Sequence, residues 1–187
     1  MPGEPNRMRK FVFLVVLLMA YPVLAIAGPS PARLAAMDSL WVAYTLLYRG
    51  DPQGLAHVEE SLHIDPNLAL ANIIRAEFAM KHQDWTTAQQ YLRRGIELIG
   101  QPDQIFSPDD TIPVNVNVIE ANARVSLGYT LMALATQASE EGDLEIAMRH
   151  LNVARLHLLA SLELEPTSAV KETAENLLSL LSEAYKR

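Results

Sequence analysis

The side chains best suited to catalysis or metal binding in this sequence are its five histidines, and their spacing argues against a shared site. His150 and His157 lie seven residues apart, so on a helix they share a face but are separated by two turns, or roughly 10.5 Å. Without a third element between them, that distance is too great for both to bind one metal ion. We therefore predict solvated surface histidines and no metal site.

Other patterns that carry chemistry are missing from the sequence. The chain has no cysteine, which excludes thiol catalysis and disulfides, and it contains no glycine-rich phosphate loop, no His-Glu-x-x-His and no Gly-x-Ser-x-Gly. Asp103, Asp109 and Asp110 lack the alternating spacing and the glycine of a calcium loop. An enzyme is thus the least favoured class, and we expect no catalytic residue and no cofactor.

The first 27 residues have the features of an export signal. Three basic residues within the first ten precede an apolar run that continues past Pro22 to Ala27. The run ends in Ala-Ile-Ala, the small-residue pattern that a signal peptidase requires, so we predict cleavage after Ala27 and a periplasmic or secreted product. The alternative is an uncleaved helix that anchors the protein in the inner membrane, which the short run and Pro22 disfavour.

Removal of residues 1–27 would leave an acidic chain of 160 residues. Cleavage takes away three basic side chains and one acidic one, so 12 Lys and Arg remain against 21 Asp and Glu, a net charge of −9. Nucleic acids and anionic membrane surfaces are poor partners for such a chain, because both require a concentrated basic face. Hydrophobic residues make up 50% of the sequence, which is enough for one folded domain over residues 28–187.

A helical hairpin over residues 64–100 is the unit that the chain repeats. The Asp65-Pro66 pair is predicted to start its first helix and Asp84 its second, because aspartate can cap the first amides and proline suits the first turn. The small residues that would let the two helices approach closely are Ala76, Ala88 and Gly95.

A first unit over residues 31–66 has the same design. Ser30 and Pro31 are predicted to start a helix over residues 32–48, and Gly50-Asp51-Pro52 to end it and start another over residues 52–64. The proline-opened starts of the two units lie 35 residues apart, and their turn aspartates lie 33 apart.

In these features the chain resembles the tetratricopeptide repeat (TPR) family, whose helical hairpin recurs about every 34 residues. The resemblance covers nearly all of residues 31–166 and is strongest over residues 65–100. Asn72 and Arg75 depart from it, since the family usually has a large aromatic residue and a leucine there. The resemblance implies an all-α, TPR-like solenoid that serves as a binding scaffold.

The resemblance also implies where a partner would bind. In this family the first helices of successive units line a concave groove that takes an extended peptide or a partner's helix. We expect about half of the corresponding side chains to be interior, because apolar residues at helical spacing are often core. Carried over by position, the groove residues are Met37, Leu40, Tyr44, Leu47, Tyr48, Leu70, Ile73, Glu77, Met80, Lys81, Asn122, Val125, Tyr129 and Met132.

A loop over residues 101–113 interrupts the repeats. Its three prolines are incompatible with a continuous helix, and its Ile105 and Phe106 are unusual residues for solvent. We favour a plug that folds back onto the repeats, because burial of each side chain would contribute about 1.5 to 3 kcal/mol. The alternative is that the pair contacts a partner.

The third unit, over residues 114–166, is predicted to be an elongated hairpin. Gly128 lies 15 residues before the turn residue Asp143, whereas Ala76 lies eight before Asp84, and the second arm gains seven residues as well. Matched additions of about two turns keep the hairpin in register. The predicted seam residues are Val118, Ala121, Val125, Gly128, Met132, Ala135 and Ala138 on one helix, and Leu144, Ala147, Leu151, Ala154, Leu158 and Leu162 on the other.

A last helix over residues 168–186, capped by Ser168, is predicted to close the solenoid. Its apolar stripe would cover the open end of the long hairpin, while its other face is polar.

Two functional hypotheses follow. The first is a non-enzymatic, exported TPR-like adaptor that binds a protein partner through the apolar groove and assists assembly, transport or secretion of an envelope complex. The second is a periplasmic carrier that holds a small apolar ligand in the groove beneath the Ile105-Phe106 loop. Homo-oligomerisation is compatible with either hypothesis.

Overall fold

The computed structural model describes residues 29–101, 104, 106 and 114–185, with the exception of the Tyr48 side chain. The described residues form helices and no strand, which confirms the predicted all-α fold. The predicted export signal and Ile105 lie outside them. The helices are α1 (Pro31–Tyr48), α2 (Gly54–Ile64), α3 (Ala69–Lys81), α4 (Trp85–Ile99), α5 (Val116–Glu140), α6 (Leu144–Glu163) and α7 (Ser168–Ala184).

The helices pair in the order of the chain. Helix α1 packs on α2, α3 on α4 and α5 on α6, and α7 lies against α6 and α5. The predicted solenoid of helical hairpins, with its elongated third hairpin and its closing helix, is thus observed. Helix α5 has a special position, because it contacts α3, α4, α6 and α7.

Three helices begin at capping side chains that the sequence predicted. Ser30 Oγ accepts a hydrogen bond from the Arg33 amide at 3.1 Å, and Asp84 Oδ1 accepts one from the Thr87 amide at 3.1 Å. Asp143 Oδ1 does the same for the amide of Ile146 at 3.0 Å. Each cap satisfies an amide that has no partner within its own helix.

The start of α3 differs from the prediction. Asp65 ends α2, and α3 begins only at Ala69, so the Asp65-Pro66 pair does not open a helix. The Asp65 side chain is used otherwise: its Oδ1 accepts a hydrogen bond from the Asn67 amide at 2.9 Å and so shapes the turn. The other oxygen of the same carboxylate, Oδ2, pairs with Arg33, and this contact holds the side chain in place.

Two other predicted helix starts are also displaced. Helix α2 begins at Gly54, because residues Pro52 and Gln53 form a turn. Helix α7 has Thr167 at its N-cap and Ser168 as its first residue, and the Thr167 side chain makes no capping hydrogen bond. The predicted capping role of Ser168 is therefore wrong.

A buried ion pair connects the first hairpin to the second. Arg33 Nε lies 2.6 Å from Asp65 Oδ2, and the two residues are only 8% and 6% exposed. Arg33 is in the first turn of α1 and Asp65 is at the end of α2, immediately before α3. The pair thus fixes the position of α1 relative to the turn from which α3 starts.

The hydrophobic interior has two main parts that meet at α3. Ala71 and Ile74 of α3 pack with α1 and α2, whereas Ala69, Ile73 and Ala76 of the same helix pack with the helices that follow. A third, small cluster of alanines lies towards the tip of the long hairpin. Helix α3 is therefore buried on two sides, and seven of its 13 residues are buried.

The predicted close approaches within the hairpins are observed. A Cβ atom on Gly95 would lie 2.7 Å from Ile73 Cγ1, and one on Gly128 would lie 2.7 Å from Leu158 Cγ. Ala76 and Ala88 have no exposed surface. The small residues are therefore needed where helix pairs touch, as the sequence indicated.

The seam of the long hairpin is largely as predicted, with one error. Ala121, Gly128 and Ala154 are buried between α5 and its neighbours. Leu144, however, is 65% exposed. Leu144 is the first residue of α6 and directly follows the turn. The last buried residue of α5 is Ala138, so Leu144 lies nearer the tip of the hairpin than the part of α5 that is buried.

Replacement of Asp65 by alanine is expected to lower the free energy of unfolding by about 3 to 5 kcal/mol, because the change breaks a buried ion pair with Arg33. Asp51→Ala is the matched control, since Asp51 Oδ1 accepts the Gln53 amide at 2.9 Å in an equivalent turn but forms no ion pair. That control should lose only about 1 kcal/mol. Urea denaturation followed by circular dichroism measures both, and equal losses would contradict the importance of the pair.

Gly128→Ala is expected to reduce the free energy of unfolding by about 1 to 3 kcal/mol, because the new methyl group overlaps Leu158 and pushes α5 from α6. Gly100→Ala is a suitable control, because a Cβ atom at that position would have no neighbouring atom within 4 Å and the φ of Gly100 is −80°. The same denaturation assay applies. A Gly128 variant as stable as the Gly100 variant would show that α5 and α6 can accommodate a methyl group at this position without loss of packing.

Candidate functional site

A cavity of about 600 Å³ lies where the first helices of the three hairpins face one another. Its walls are mostly apolar, and it is open on one side to solvent. The lining residues are Met37, Leu40, Trp41 and Tyr44 from α1, Leu70, Ile73, Ile74 and Glu77 from α3, Phe106 and Val114 from the loop, and Ile119, Asn122 and Ser126 from α5. We call this cavity the groove.

Helical spacing explains how α1 and α3 supply their walls. Leu70, Ile73, Ile74 and Glu77 are at positions i, i+3, i+4 and i+7 of α3, so they form one face of that helix. The four lining residues of α1 have the same spacing. Six of the predicted groove residues on these two helices therefore lie together. On α1 and α3 the groove residues that the sequence analysis missed are Trp41 and Ile74, which the same spacing could have identified.

Helix α5 presents a different face from the one predicted. Asn122 lines the groove, but its neighbours there are Ile119 and Ser126. Val125 is only 8% exposed and belongs to the interior, and Met132 is half-buried against the same core. Because α5 is surrounded by other helices, its apolar residues point in every direction, and the sequence pattern does not reveal which face is free.

The remaining predicted residues lie outside the groove. Leu47 and Lys81 line a second cavity of about 390 Å³, which shares Ile74 and Glu77 with the groove. Met80 is half-buried against the main core. Tyr48 closes α1, and its side chain is outside the described residues.

Tyr129 is a predicted groove residue that forms a separate aromatic contact. It is 46% exposed and packs edge-on against Trp85, with the ring centroids 5.8 Å apart. Trp85 is the first residue of α4, so this contact joins the second hairpin to the third. Neither ring lines the groove.

An exposed aromatic pair marks the α1 wall of the groove. The rings of Trp41 and Tyr44 are stacked with their centroids 5.5 Å apart and an interplanar angle of 11°. They are 44% and 52% exposed, although both are large and partly apolar. Aromatic side chains of this kind are frequent anchors for protein partners.

Glu77 is the exception in this apolar surface. Among the described residues it is the only charged side chain that lines the groove, and no hydrogen bond or ion pair engages its carboxylate. The side chain is exposed to solvent at the open side of the groove, but the apolar walls displace part of the surrounding water, and this desolvation raises the pKa of Glu77 above its ordinary value.

Two of the described residues in the loop after α4 contact the repeats. Gln104 Oε1 accepts a hydrogen bond from the Ala69 amide at 2.8 Å, and its Nε2 donates to the Asn67 carbonyl at 3.0 Å. Phe106 is half-buried against the main core and lines the groove. Phe106 is thus placed as the predicted plug would place it, and the role of Gln104 in capping α3 was not foreseen.

The two histidines of α6 are less solvated than predicted. His150 and His157 are both half-buried, and desolvation lowers the pKa of each, followed in effect by the positive charges of Arg93 and Arg149 at His150 and of Arg124 and Arg93 at His157. The sequence placed them on one face but could not show that other helices cover it. Within the described ranges, no three His, Cys, Asp or Glu side chains are grouped so that they could hold a metal ion.

In the described part of the chain, none of the helices combines the length and the hydropathy that a membrane crossing requires.

Comparison with known proteins supports the fold. No family model matches this chain, and no curated protein sequence matches it. A solved structure, the N-terminal domain of stress-induced protein-1 (STI-1) from C. elegans, is similar to it with a TM-score of 0.52 and 12% sequence identity. The similarity covers 79% of this chain and 98% of that domain. It confirms a TPR-like helical fold, and at this identity it concerns the fold alone.

Glu77→Gln is expected to raise the melting temperature at pH 7 and to leave it unchanged below about pH 4. A carboxyl whose pKa is raised on folding binds its proton more tightly in the folded state, so stability falls as the pH rises from its unfolded pKa through its folded pKa. The other titratable groups of the two cavities, Tyr44, Asp51, Lys81 and His82, are common to both proteins.

Thermal unfolding at pH 4, 5.5 and 7 tests this expectation. Glu97→Gln is the control, because Glu97 is exposed on α4 and lines neither cavity. If the Glu77 variant followed the wild-type pH profile as closely as the control, the desolvation of Glu77 would be negligible.

Proposed function

We propose that this protein is a non-enzymatic adaptor that binds a partner protein in the groove. The observation that carries the proposal is the convergence of α1, α3 and α5 on one apolar cavity that remains open beside the exposed Trp41–Tyr44 pair. An open apolar surface of this kind is costly in water unless another molecule covers it. Grooves between helices commonly accept the apolar face of an amphipathic helix.

The repeat architecture supports this proposal. Stacked helical hairpins form extended concave surfaces suited to binding other proteins. The similarity to the STI-1 domain supports the same architecture for this chain. The sequence offers no catalytic pattern that would favour an enzyme instead.

The adaptor is proposed to act outside the cytoplasm, where it assists assembly, transport or secretion of an envelope complex. The support is the sequence of residues 1–27, with its basic start, apolar run and Ala-Ile-Ala end. Expression of the whole chain, fractionation and N-terminal sequencing test this part. A periplasmic or secreted product that begins at Gly28 is expected, and an intact membrane-bound chain would favour the uncleaved anchor.

Tyr44→Asp is expected to abolish partner binding, because a charge at the groove wall opposes burial of an apolar surface. Envelope lysate is passed over the immobilised protein without residues 1–27, and retained proteins are quantified by mass spectrometry. Leu144→Asp is the matched control, since Leu144 is 65% exposed and lies at the hairpin tip, away from the groove. A stoichiometric partner retained equally by both variants would show that binding occurs elsewhere.

A second candidate function is that of a carrier for a small apolar ligand. The volume of about 600 Å³ lies within the range of small-molecule sites, and Phe106 of the loop contributes to the apolar lining. Organic extraction of the purified protein followed by mass spectrometry separates the two functions. A stoichiometric small molecule would favour the carrier, and its absence together with a retained protein would favour the adaptor.

A further inference from the structure

The isolated carboxylate in the groove indicates the chemistry of the partner. Glu77 occupies the same helical face as Leu70, Ile73 and Ile74, in line with the apolar side chains that a partner would cover. It also borders the second cavity, so it sits where the two cavities adjoin. A partner that fills the groove would therefore come into contact with it.

Within the described chain no cation lies within ion-pair distance of the Glu77 carboxylate. Lys81 is one turn further along α3 and lines the second cavity, but no ion pair joins it to Glu77. The other residues that line the groove are apolar or uncharged. An occupant without a complementary charge would remove the remaining water from this carboxylate and leave it unpaired, which is strongly unfavourable.

We propose that the groove binds an amphipathic helix of a partner protein whose apolar face carries one lysine or arginine, and that this residue pairs with Glu77. This inference rests on the proposed function and makes it more specific. The apolar walls would supply most of the binding free energy, whereas the single charge pair would select the partner and fix its register. The net charge of −9 that remains without residues 1–27, from 12 Lys and Arg against 21 Asp and Glu, also favours a basic partner.

Synthetic peptides test the inference directly. Three fluorescent 18-residue amphipathic helices of leucine, alanine and glutamine differ only at the centre of the apolar face, which carries lysine, norleucine or glutamate. Their affinities for the protein without residues 1–27 are measured by fluorescence anisotropy. The wild-type protein is expected to bind the lysine peptide about tenfold more tightly than the norleucine peptide.

Two substitutions attribute the preference to Glu77. Glu77→Gln should bind the lysine and norleucine peptides equally, and Glu77→Lys should prefer the glutamate peptide. Glu97→Gln, on the exposed surface of α4, should keep the wild-type preference. Circular dichroism establishes that the variants are folded.

Each contrary outcome has a distinct meaning. Equal binding of the three peptides by the wild-type protein, or a lysine preference that persists in Glu77→Gln, would overturn this inference and leave the adaptor function in place. If the wild-type protein bound none of the peptides, that result would contradict both this inference and the proposed adaptor function. Sedimentation as a dimer that dissociates in Glu77→Lys would identify a second copy as the occupant, and binding of dodecylammonium without any peptide would identify a small cationic amphiphile. Both results would overturn the proposal.

Discussion

The burial of α3 on two sides is the constraint on which the rest of the structure depends. Ala71 and Ile74 of this helix complete the first core, and Ala69, Ile73 and Ala76 complete the second, so α3 joins two parts that would otherwise be separate. A helix enclosed in this way must be narrow, which explains its alanines and the glycine that faces Ile73 from α4. The α3 wall of the groove lies along the line where these two parts meet: it consists of the buried Ile73 and Ile74 together with the more accessible Leu70 and Glu77. The position of the candidate site is therefore a consequence of how the cores are divided.

Local signals made most of the fold predictable. Capping by Ser30, Asp84 and Asp143 depends on residues three positions apart, so the sequence alone identifies these helix starts correctly. The matched lengths of the two arms likewise predicted the long hairpin. The prediction failed at Asp65 because that carboxylate pairs with Arg33, 32 residues earlier, and a contact over that distance leaves no local signature. Tertiary pairing thus overrode the intrinsic preference of the Asp-Pro pair for a helix start.

The groove was predictable to the extent that each helix has one apolar face left free. Helices α1 and α3 present groove walls close to those that the repeat pattern indicates, because their other faces pack against the helices next to them in the chain. Helix α5 contacts four other helices, and its apolar residues therefore occupy all of its sides. For this reason the sequence pattern wrongly assigned Val125, which is interior, to the groove. Gln104 shows a different limit: it caps an amide 35 residues away, and nothing in its surroundings indicates such a role.

In the turn between α2 and α3, the buried polar side chains have hydrogen-bond or ion-pair partners within the protein. Asp65 pairs with Arg33, and Asn72 donates to the carbonyls of Pro66 and Leu68 at 3.1 and 2.9 Å, which explains an asparagine where TPR sequences usually have an aromatic residue. Throughout the described residues, every buried side-chain nitrogen or oxygen has a partner. Glu77 is not one of these buried groups: its carboxylate is exposed at the open groove, and no hydrogen bond or ion pair of the described chain engages it. A molecule that fills the groove would bury this carboxylate, and the partner that the carboxylate would then need is best supplied by that molecule itself.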